Sequence, residues 1–134
     1  MKKTILVIDD QADERKLVRL LLRKYDCTVL EAANGADGLK VAQRMRPDLI
    51  LIDHVMPVMN GYDAISVLRR SDDLRSIPIV MLTSRKFNGG FKAFMRLQID
   101  DFFQKPVEQK TLLERIQALI GPLSLAPAAP AVAR

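Results

Sequence analysis

Short apolar runs alternate along the chain with longer segments in which apolar residues recur at helical spacing. The runs cover residues 5–8, 27–30, 49–52, 79–82 and 99–103. Runs of this length that are rich in Ile, Val and Leu are typical of strands buried on both faces. Each run is followed by a segment of helical period, so the pattern predicts five successive β-α units.

The helical segments are marked by apolar residues three or four positions apart. Asn34 has the side chain expected of an N-cap at the start of the second helix, and Gly61 precedes the third. Strand–helix alternation with short connections favours an α/β fold in which helices cover both faces of a parallel sheet. The apolar positions that define the fourth and fifth helices are Phe87, Phe91, Phe94 and Met95, then Leu112, Leu113, Ile116, Leu119 and Ile120.

The end of the chain lacks such a pattern. After Gly121 the sequence reads PLSLAPAAPAVAR, in which three prolines are set among small residues without amphipathic period. Such composition is typical of a linker. We therefore predict one domain over residues 1–121 and a Pro/Ala-rich tail or linker over residues 122–134.

Composition narrows the class of protein. Of the 134 residues, 49% are hydrophobic and 28% are charged, as in ordinary soluble domains, and no apolar run approaches the length of a membrane span. The single cysteine, Cys27, fits a reduced, cytoplasmic location. The net charge of +5 is spread over the predicted helices rather than clustered with aromatic residues. We therefore expect neither a nucleic-acid partner nor insertion into a membrane.

Polar residues with possible chemistry follow four of the five predicted strands. They are Asp9 and Asp10 after the first, Asp53 after the third, Thr83 and Ser84 after the fourth, and Lys105 and Pro106 after the fifth. In open α/β sheets, ligands bind at the carboxyl ends of the strands. The sequence therefore predicts that three carboxylates, a hydroxyl and a lysine converge at one end of the sheet.

Three converging carboxylates repel one another unless a cation neutralises them. Oxygen ligands with open positions suit Mg²⁺, and no second histidine or cysteine is available for a softer metal. A nearby lysine and hydroxyl suit a phosphoryl group. Asp53 is the natural phosphoacceptor, because it closes a central strand alone, whereas Asp9 and Asp10 are a pair.

Two other interpretations are weaker. Adjacent aspartates after a strand are often simple turn residues, but a turn does not explain the polar residues that close the other strands. A Mg²⁺-dependent phosphatase with its nucleophile on the first strand would need a second acid two residues later, where this chain has Gln11.

The segments LVIDDQ, DLILIDHVMPVMNG, PIVMLTS and DDFFQKPV resemble the receiver domain of two-component response regulators. The resemblance covers roughly residues 3–120 and extends to single-domain regulators of the chemotaxis type. It implies a flavodoxin-like, doubly wound (βα)5 fold with five surrounding helices and strand order 2-1-3-4-5.

The resemblance also implies a role for each metal ligand. Asp53 would accept a phosphoryl group from the phosphohistidine of a sensor histidine kinase or from a phosphotransfer protein. Asp10 would bind Mg²⁺ directly and Asp9 largely through water, while Asp53 and the backbone carbonyl of Val55 would complete the protein ligands.

The remaining site residues are implied to act on the phosphoryl group. Lys105 would pair with the phosphate, and its peptide bond to Pro106 is expected to be cis. Thr83 would move to bind a phosphoryl oxygen while Phe102 turns inward. The surface formed by the fourth helix, the fifth strand and the fifth helix would then bind a downstream protein.

The resemblance implies that the protein is a monomer or a phosphorylation-linked dimer. It also implies a switch that catalyses its own phosphorylation, rather than a turnover enzyme. The alternative within the same family is a degenerate receiver, a protein-interaction module that is never phosphorylated.

Several residues depart from the family pattern. Phe102 lacks the hydroxyl of the tyrosine found in many relatives, and Gln98 stands where glycine is usual. Ser84 replaces a small alanine beside the switch hydroxyl. Val55 and Arg85 occupy positions that tune attack by water, and their size predicts a long-lived phosphorylated form.

Overall fold

The computed structural model describes residues 2–84 and 96–127. In chain order its elements are β1 (Lys3–Ile8), α1 (Ala12–Leu22), β2 (Cys27–Ala32), α2 (Gly35–Met45), β3 (Leu49–Ile52), α3 (Gly61–Arg70), β4 (Ile79–Thr83), β5 (Asp101–Gln104) and α4 (Gln109–Ile120). The predicted fourth helix falls on residues 87–95, outside the described residues, so α4 is the predicted fifth helix. No helix within the described ranges is long and apolar enough to cross a bilayer.

All five strands are parallel and lie in the order β2-β1-β3-β4-β5. The predicted fold and strand order are therefore confirmed. The fifth strand begins at Asp101, two residues later than predicted, because Asp100 bonds to the start of β4 through both backbone and side chain. Its amide donates to the carbonyl of Ile79, and its Oδ2 accepts the Ile79 amide, each at 2.8 Å.

Alternate residues of the central strands enter two separate cores. On β1, Leu6 and Ile8 belong to the cluster beneath α2 and α3, whereas Ile5 and Val7 belong to the cluster beneath α1 and α4. Side chains alternate between the faces of a strand, so a strand covered on both sides must be apolar throughout. This explains the unbroken apolar runs that the sequence shows.

The loop between β3 and α3 is held close to the end of β3. Gly61 donates its amide to the carbonyl of His54 at 2.8 Å, and a Cβ at Gly61 would collide with the backbone carbonyl of Asp53. Asn60 caps α3, since its side chain accepts the amide of Asp63 at 2.9 Å. The predicted cap of α2 by Asn34 is also confirmed.

Gln98 and Val58, two non-glycine residues in loops, have left-handed backbone conformations. Gln98, which stands where relatives usually have glycine, has φ of 55°. Val58, in the β3–α3 loop, has φ of 68° and is 83% exposed. For a β-branched residue such a φ is an outlier, and it costs about 1–2 kcal/mol.

Arg69 joins the loops at the amino end of the sheet, where the strands begin. Its Nε donates to the carbonyl of Gln98, and its Nη1 donates to the carbonyls of Arg75 and Ile77, each at 2.8 Å. Its Nη2 lies 3.3 Å from Asp100 Oδ2. The Arg69 side chain is only 12% exposed, so a largely buried side chain connects these loops.

The segment that follows α4 folds back onto the domain. Leu123 is buried in the core beneath α1 and α4. The amide of Asp26 donates to the carbonyl of Ser124, and the amide of Ala126 donates to the carbonyl of Lys24, both at 2.7 Å. The beginning of the predicted tail thus contacts the turn before β2, while the division into domain and tail stays a prediction.

Candidate functional site

The carboxyl ends of β1, β3, β4 and β5 bring the predicted polar residues together. Asp9 and Asp53 are 4% and 8% exposed, Thr83 is 1% exposed, and the Lys105 side chain is 13% exposed. Carboxylates are rarely buried to this extent unless they are paired or bind a cation. The convergence expected from the strand ends is what the structure shows.

Asp9 uses both carboxylate oxygens. Its Oδ1 accepts the amide of Gln11 at 2.9 Å, and its Oδ2 accepts from Lys105 Nζ at 2.6 Å. Its backbone carbonyl accepts from Arg15 Nη1 at 2.6 Å. The end of β1 is therefore fixed by both α1 and β5.

Lys105 is the cation at the centre of the site. Its Nζ lies 2.6 Å from Asp9 Oδ2 and 3.6 Å from Asp53 Oδ2. Its amide donates to the carbonyl of Thr83 at 2.7 Å, and the peptide bond to Pro106 is cis, as expected. Burial alone lowers the pKa of Lys105, but the hydrogen bond to Asp9 and the neighbouring carboxylates outweigh burial and raise it.

Asp53 is a carboxylate held in an unfavourable environment. Burial raises its pKa, the charge of Asp9 raises it further, and Lys105 only partly opposes both effects. Its Oδ1 accepts the amide of His54 at 2.7 Å, and the Thr83 hydroxyl is a further hydrogen-bond partner. Additional positive charge at this position would stabilise the ionised form, which is the nucleophilic one.

The arrangement of carboxylates fits a small, hard cation. Asp9, Asp10 and Asp53 each offer an oxygen atom, and these atoms lie within 4.8 Å of one another. Asp10 is exposed, so solvent can reach the cluster. Mg²⁺ takes oxygen ligands, keeps several waters and needs few carboxylates, and this donor set matches those requirements.

The other predicted site residues surround this centre at different depths. Val55 is 43% exposed, Ser84 and Pro106 are exposed, and Phe102 is half-buried against the core beneath α2 and α3. Arg85 lies outside the described residues. His54, which follows Asp53, packs its ring edge-on against Tyr62 with centroids 4.5 Å apart.

Two residues on the first turns of α1 reach the site without having been predicted. Glu14 Oε2 lies 3.8 Å from Lys105 Nζ, and Arg15 binds both the carbonyl of Asp9 and the side chain of Glu31. Their position shortly after the aspartate pair, on a helix that starts at the same end of the sheet, was the available signal. A cavity of about 390 Å³ between α1 and α4 opens beside them.

Comparison with known proteins agrees with this geometry. The family model described as response regulator receiver domain matches residues 5–117. Protein PilH of Pseudomonas aeruginosa is 34% identical over 117 residues, which cover 87% of this chain and 97% of that protein. The DNA-binding response regulator MtrA of Mycobacterium tuberculosis is 33% identical over 118 residues. This chain spans about half the length of that regulator.

Solved structures show the same architecture. The chemotaxis protein CheY4 of Vibrio cholerae superposes with a TM-score of 0.81 at 28% identity, over 89% of this chain and 99% of that one. The receiver domain of a sensor histidine kinase from Pseudomonas aeruginosa also gives 0.81 at 28% identity, over 91% and 100%. In that crystal structure a magnesium ion is coordinated in the active-site cleft. Receiver domains are signalling domains rather than classical turnover enzymes. The strand order, the converging acidic residues and these matches show that the chain belongs to the receiver domain family of two-component response regulators.

Proposed function

We propose that this receiver is a working phosphoacceptor, in which Asp53 takes up a phosphoryl group from a histidine kinase or a phosphotransfer protein. The observation that carries the proposal is the placement of the Asp53 carboxylate 3.6 Å from Lys105 Nζ, at the rim of a three-carboxylate cluster. An aspartate nucleophile requires neighbouring positive charge, and these two features supply a lysine and a place for a cation.

Asp9, Asp10 and Asp53 are the residues proposed to hold Mg²⁺, with the carbonyl of Val55 as a further ligand. The magnesium ion in the cleft of the kinase receiver domain from Pseudomonas aeruginosa supports this assignment. When bound, Mg²⁺ supplies positive charge that offsets the carboxylates and the phosphoryl oxygens.

The chain's own residues account for the transfer step. An Asp53 carboxylate oxygen attacks phosphorus, a new O–P bond forms, and the bond from phosphorus to the donor atom breaks as the donor leaves with its electron pair. Lys105 provides an ammonium for the phosphoryl oxygens, and the Thr83 hydroxyl provides a hydrogen-bond donor. The buried walls limit access of water to the acyl phosphate.

The proposed switch couples Thr83 to Phe102. The two residues lie on adjacent paired strands, where Met81 is opposite Phe102 and Thr83 is opposite Gln104. If Thr83 moves toward a phosphoryl group, the half-buried ring of Phe102 can fill space on the same side of the sheet. NMR of phosphorylated protein should show Phe102 more shielded from solvent; an unchanged ring environment would contradict the coupling.

The output surface is proposed to comprise β5, α4 and the predicted fourth helix, whose residues lie largely outside the described ranges. A protein partner at this surface, a cytoplasmic location, a monomer or phosphorylation-linked dimer, and a long-lived phosphorylated form remain parts of the proposal. Autodephosphorylation within seconds would contradict the last of these.

The deciding experiment uses acetyl phosphate as donor. Wild-type protein incubated with Mg²⁺ and acetyl phosphate should gain the mass of one phosphoryl group, with acetate as the leaving group. Asp53→Ala should gain none, and Asp9→Ala or Asp10→Ala should gain it more slowly. Absence of a mass gain in wild type, with acetyl phosphate and with a phosphorylated kinase, would favour the degenerate, non-phosphorylated module.

A further inference from the structure

Glu14 shares the ammonium of Lys105 with the buried carboxylates. Its Oε2 lies 3.8 Å from Lys105 Nζ, against 2.6 Å for Asp9 and 3.6 Å for Asp53. The side chain of Glu14 is 33% exposed, whereas that of Asp9 is 6% exposed. Glu14 is therefore the most exposed of these carboxylates, and it lines the same cavity as Asp53 and Lys105.

The first turns of α1 hold Glu14 in this position. The amide of Glu14 donates to the carbonyl of Gln11 at 3.1 Å, and the amide of Gln11 donates to Asp9 Oδ1 at 2.9 Å. The next residue, Arg15, binds the carbonyl of Asp9 at 2.6 Å and Glu31 Oε1 at 3.0 Å. These bonds attach the helix to the ends of β1 and β2, so the fold holds the backbone of Glu14 within reach of Lys105.

Glu14 adds a negative charge beside the candidate metal-binding cluster. The cluster consists of Asp9, Asp10 and Asp53, and Glu14 is not part of it. Among the described residues, the cluster and Glu14 make four carboxylates, of which those of Asp9, Asp53 and Glu14 lie within 4 Å of Lys105 Nζ. A bound divalent cation and that ammonium would place three positive charges against these four carboxylates. Glu14 has the most exposed of the three carboxylates that contact Lys105.

We infer that Glu14 is a specificity-determining residue that disfavours small dianionic phosphodonors by repelling them at the mouth of the site. The inference rests on the proposed phosphoacceptor function. A donor presented by a protein can offset the repulsion with its own contacts, whereas a small free anion cannot. Glu14 thus favours phosphorylation by a protein partner over phosphorylation by metabolite-sized acyl phosphates.

The direct test is the concentration dependence of phosphorylation by acetyl phosphate. Glu14→Gln should lower the half-saturating concentration about 3- to 10-fold, because a unit charge close to a dianion acts through a partly screened medium. The rate at saturation should change less than twofold, because Asp53, Asp9 and Lys105 are intact. An unchanged half-saturating concentration would overturn the inference, as would an effect confined to the saturating rate.

Charge-matched variants separate a local effect from a general one. Glu14→Asp should behave like wild type, since it keeps the carboxylate. Asp13→Asn removes a charge from an exposed neighbour on the same helix and should change the half-saturating concentration by less than 1.5-fold. An equal effect of Asp13→Asn would show that net charge alone matters. With phosphoramidate, which carries less negative charge at neutral pH, the shift caused by Glu14→Gln should be smaller.

A metal-free binding measurement tests Glu14 even if the chain is never phosphorylated. In an NMR titration with inorganic phosphate at pH 8, the amides of His54 and Thr83 should respond at lower phosphate concentration in Glu14→Gln than in wild type. Equal responses, including none in either protein, would overturn the role of Glu14. Failure of wild type to gain mass from acetyl phosphate would instead contradict the proposed function, so the two failures are distinguishable.

Discussion

The carboxyl end of the sheet holds Lys105 among carboxylates, whereas the amino end holds Arg69 among backbone carbonyls. Both cations are mostly buried, with side chains 13% and 12% exposed. Lys105 faces three carboxylates within 4 Å, and the charges at that end do not balance. Arg69 donates to three carbonyls and lies 3.3 Å from one carboxylate, Asp100.

The difference shows how similar charges serve different purposes. At the amino end burial lowers the pKa of Arg69, and Asp100 partly opposes this shift. The three carbonyls and Asp100 accept the donors of the guanidinium, so the arrangement holds the loops in one structure. At the carboxyl end burial raises the pKa of Asp53, and the charge of Asp9 adds to the shift against Lys105, so the ionised form of Asp53 is destabilised. The excess of carboxylates makes that end suitable for a cation, which the proposed phosphorylation requires. We therefore expect changes at the two ends to affect different measurements.

The largest effect is expected from removing the cation of the carboxyl end. Lys105→Ala should lower the rate of phosphorylation by acetyl phosphate about 100- to 1,000-fold, the usual consequence of losing one preorganised charge at a transition state. Mass spectrometry over a time course measures it.

Lys105→Arg is the matched control. It keeps the charge and should retain more activity than the alanine variant, although its planar guanidinium cannot reproduce a compact ammonium. A Lys105→Ala protein that is folded by circular dichroism and phosphorylated at the wild-type rate would contradict the role assigned to Lys105.

The corresponding change at the amino end should affect stability instead. Arg69→Met should lower the free energy of unfolding by about 2–4 kcal/mol, because three loop carbonyls lose their donor and Asp100 loses its cation. Urea denaturation measures the loss.

Its control is the neighbouring arginine. Arg70 makes one exposed hydrogen bond, to the carbonyl of Ser66, and Arg70→Met should cost less than about 0.5 kcal/mol. The mass gain of folded Arg69→Met protein should match wild type. If it were instead abolished, the separation between the two ends of the sheet would be wrong.

Backbone strain allows a smaller test at both ends. Val58→Gly at the carboxyl end and Gln98→Gly at the amino end should each raise the free energy of unfolding by about 0.5–1 kcal/mol, because glycine adopts positive φ without penalty. Val55→Gly is the control, since Val55 lies in the same loop without positive φ and should be destabilised. Destabilisation by all three substitutions would show that the strain is not relieved.

The smallest effect concerns Cys27, at the start of β2. Burial raises the pKa of its thiol, and Asp26 adds to the shift against the opposing charge of Lys2. At pH 8 the folded protein should therefore react more slowly with iodoacetamide than the urea-unfolded chain does, by several-fold. Since the fold favours the neutral thiol, this contribution to stability is present at neutral pH and is lost as pH rises through the alkaline range. Equal alkylation rates would contradict the shift.

Much of the site was predictable because its residues all lie at the carboxyl ends of parallel strands. Asp9, Asp53, Thr83 and Lys105 each follow a strand, and parallel strands that end at the same side of a sheet bring their ends together whatever the loops do. The strand order itself came from resemblance to a known family. The roles of these residues in phosphorylation stay predictions, although their convergence is confirmed.

The contacts that the sequence did not predict are made by long side chains to residues in other loops. Arg69 binds carbonyls up to 29 residues away, and nothing in its helical pattern names those partners. Glu14 and Arg15 looked like ordinary polar positions of an amphipathic helix. The positive φ of Val58 has no local sequence signal, because a β-branched residue is disfavoured there. The amide of Met59 donates to the carbonyl of Pro57 at 2.7 Å, which closes a tight turn across Val58.

The return of the segment after α4 to the turn before β2 has a practical consequence. Leu125 pairs with Tyr25 at the amino end of the sheet, so the chain reaches Pro127 on the side opposite to Asp53. The strands that separate the two ends are four to six residues long, which corresponds to roughly 13–20 Å. A tag or a surface attachment joined after Pro127 would therefore leave the carboxyl end open to solution, and immobilised protein would present Asp53 outward.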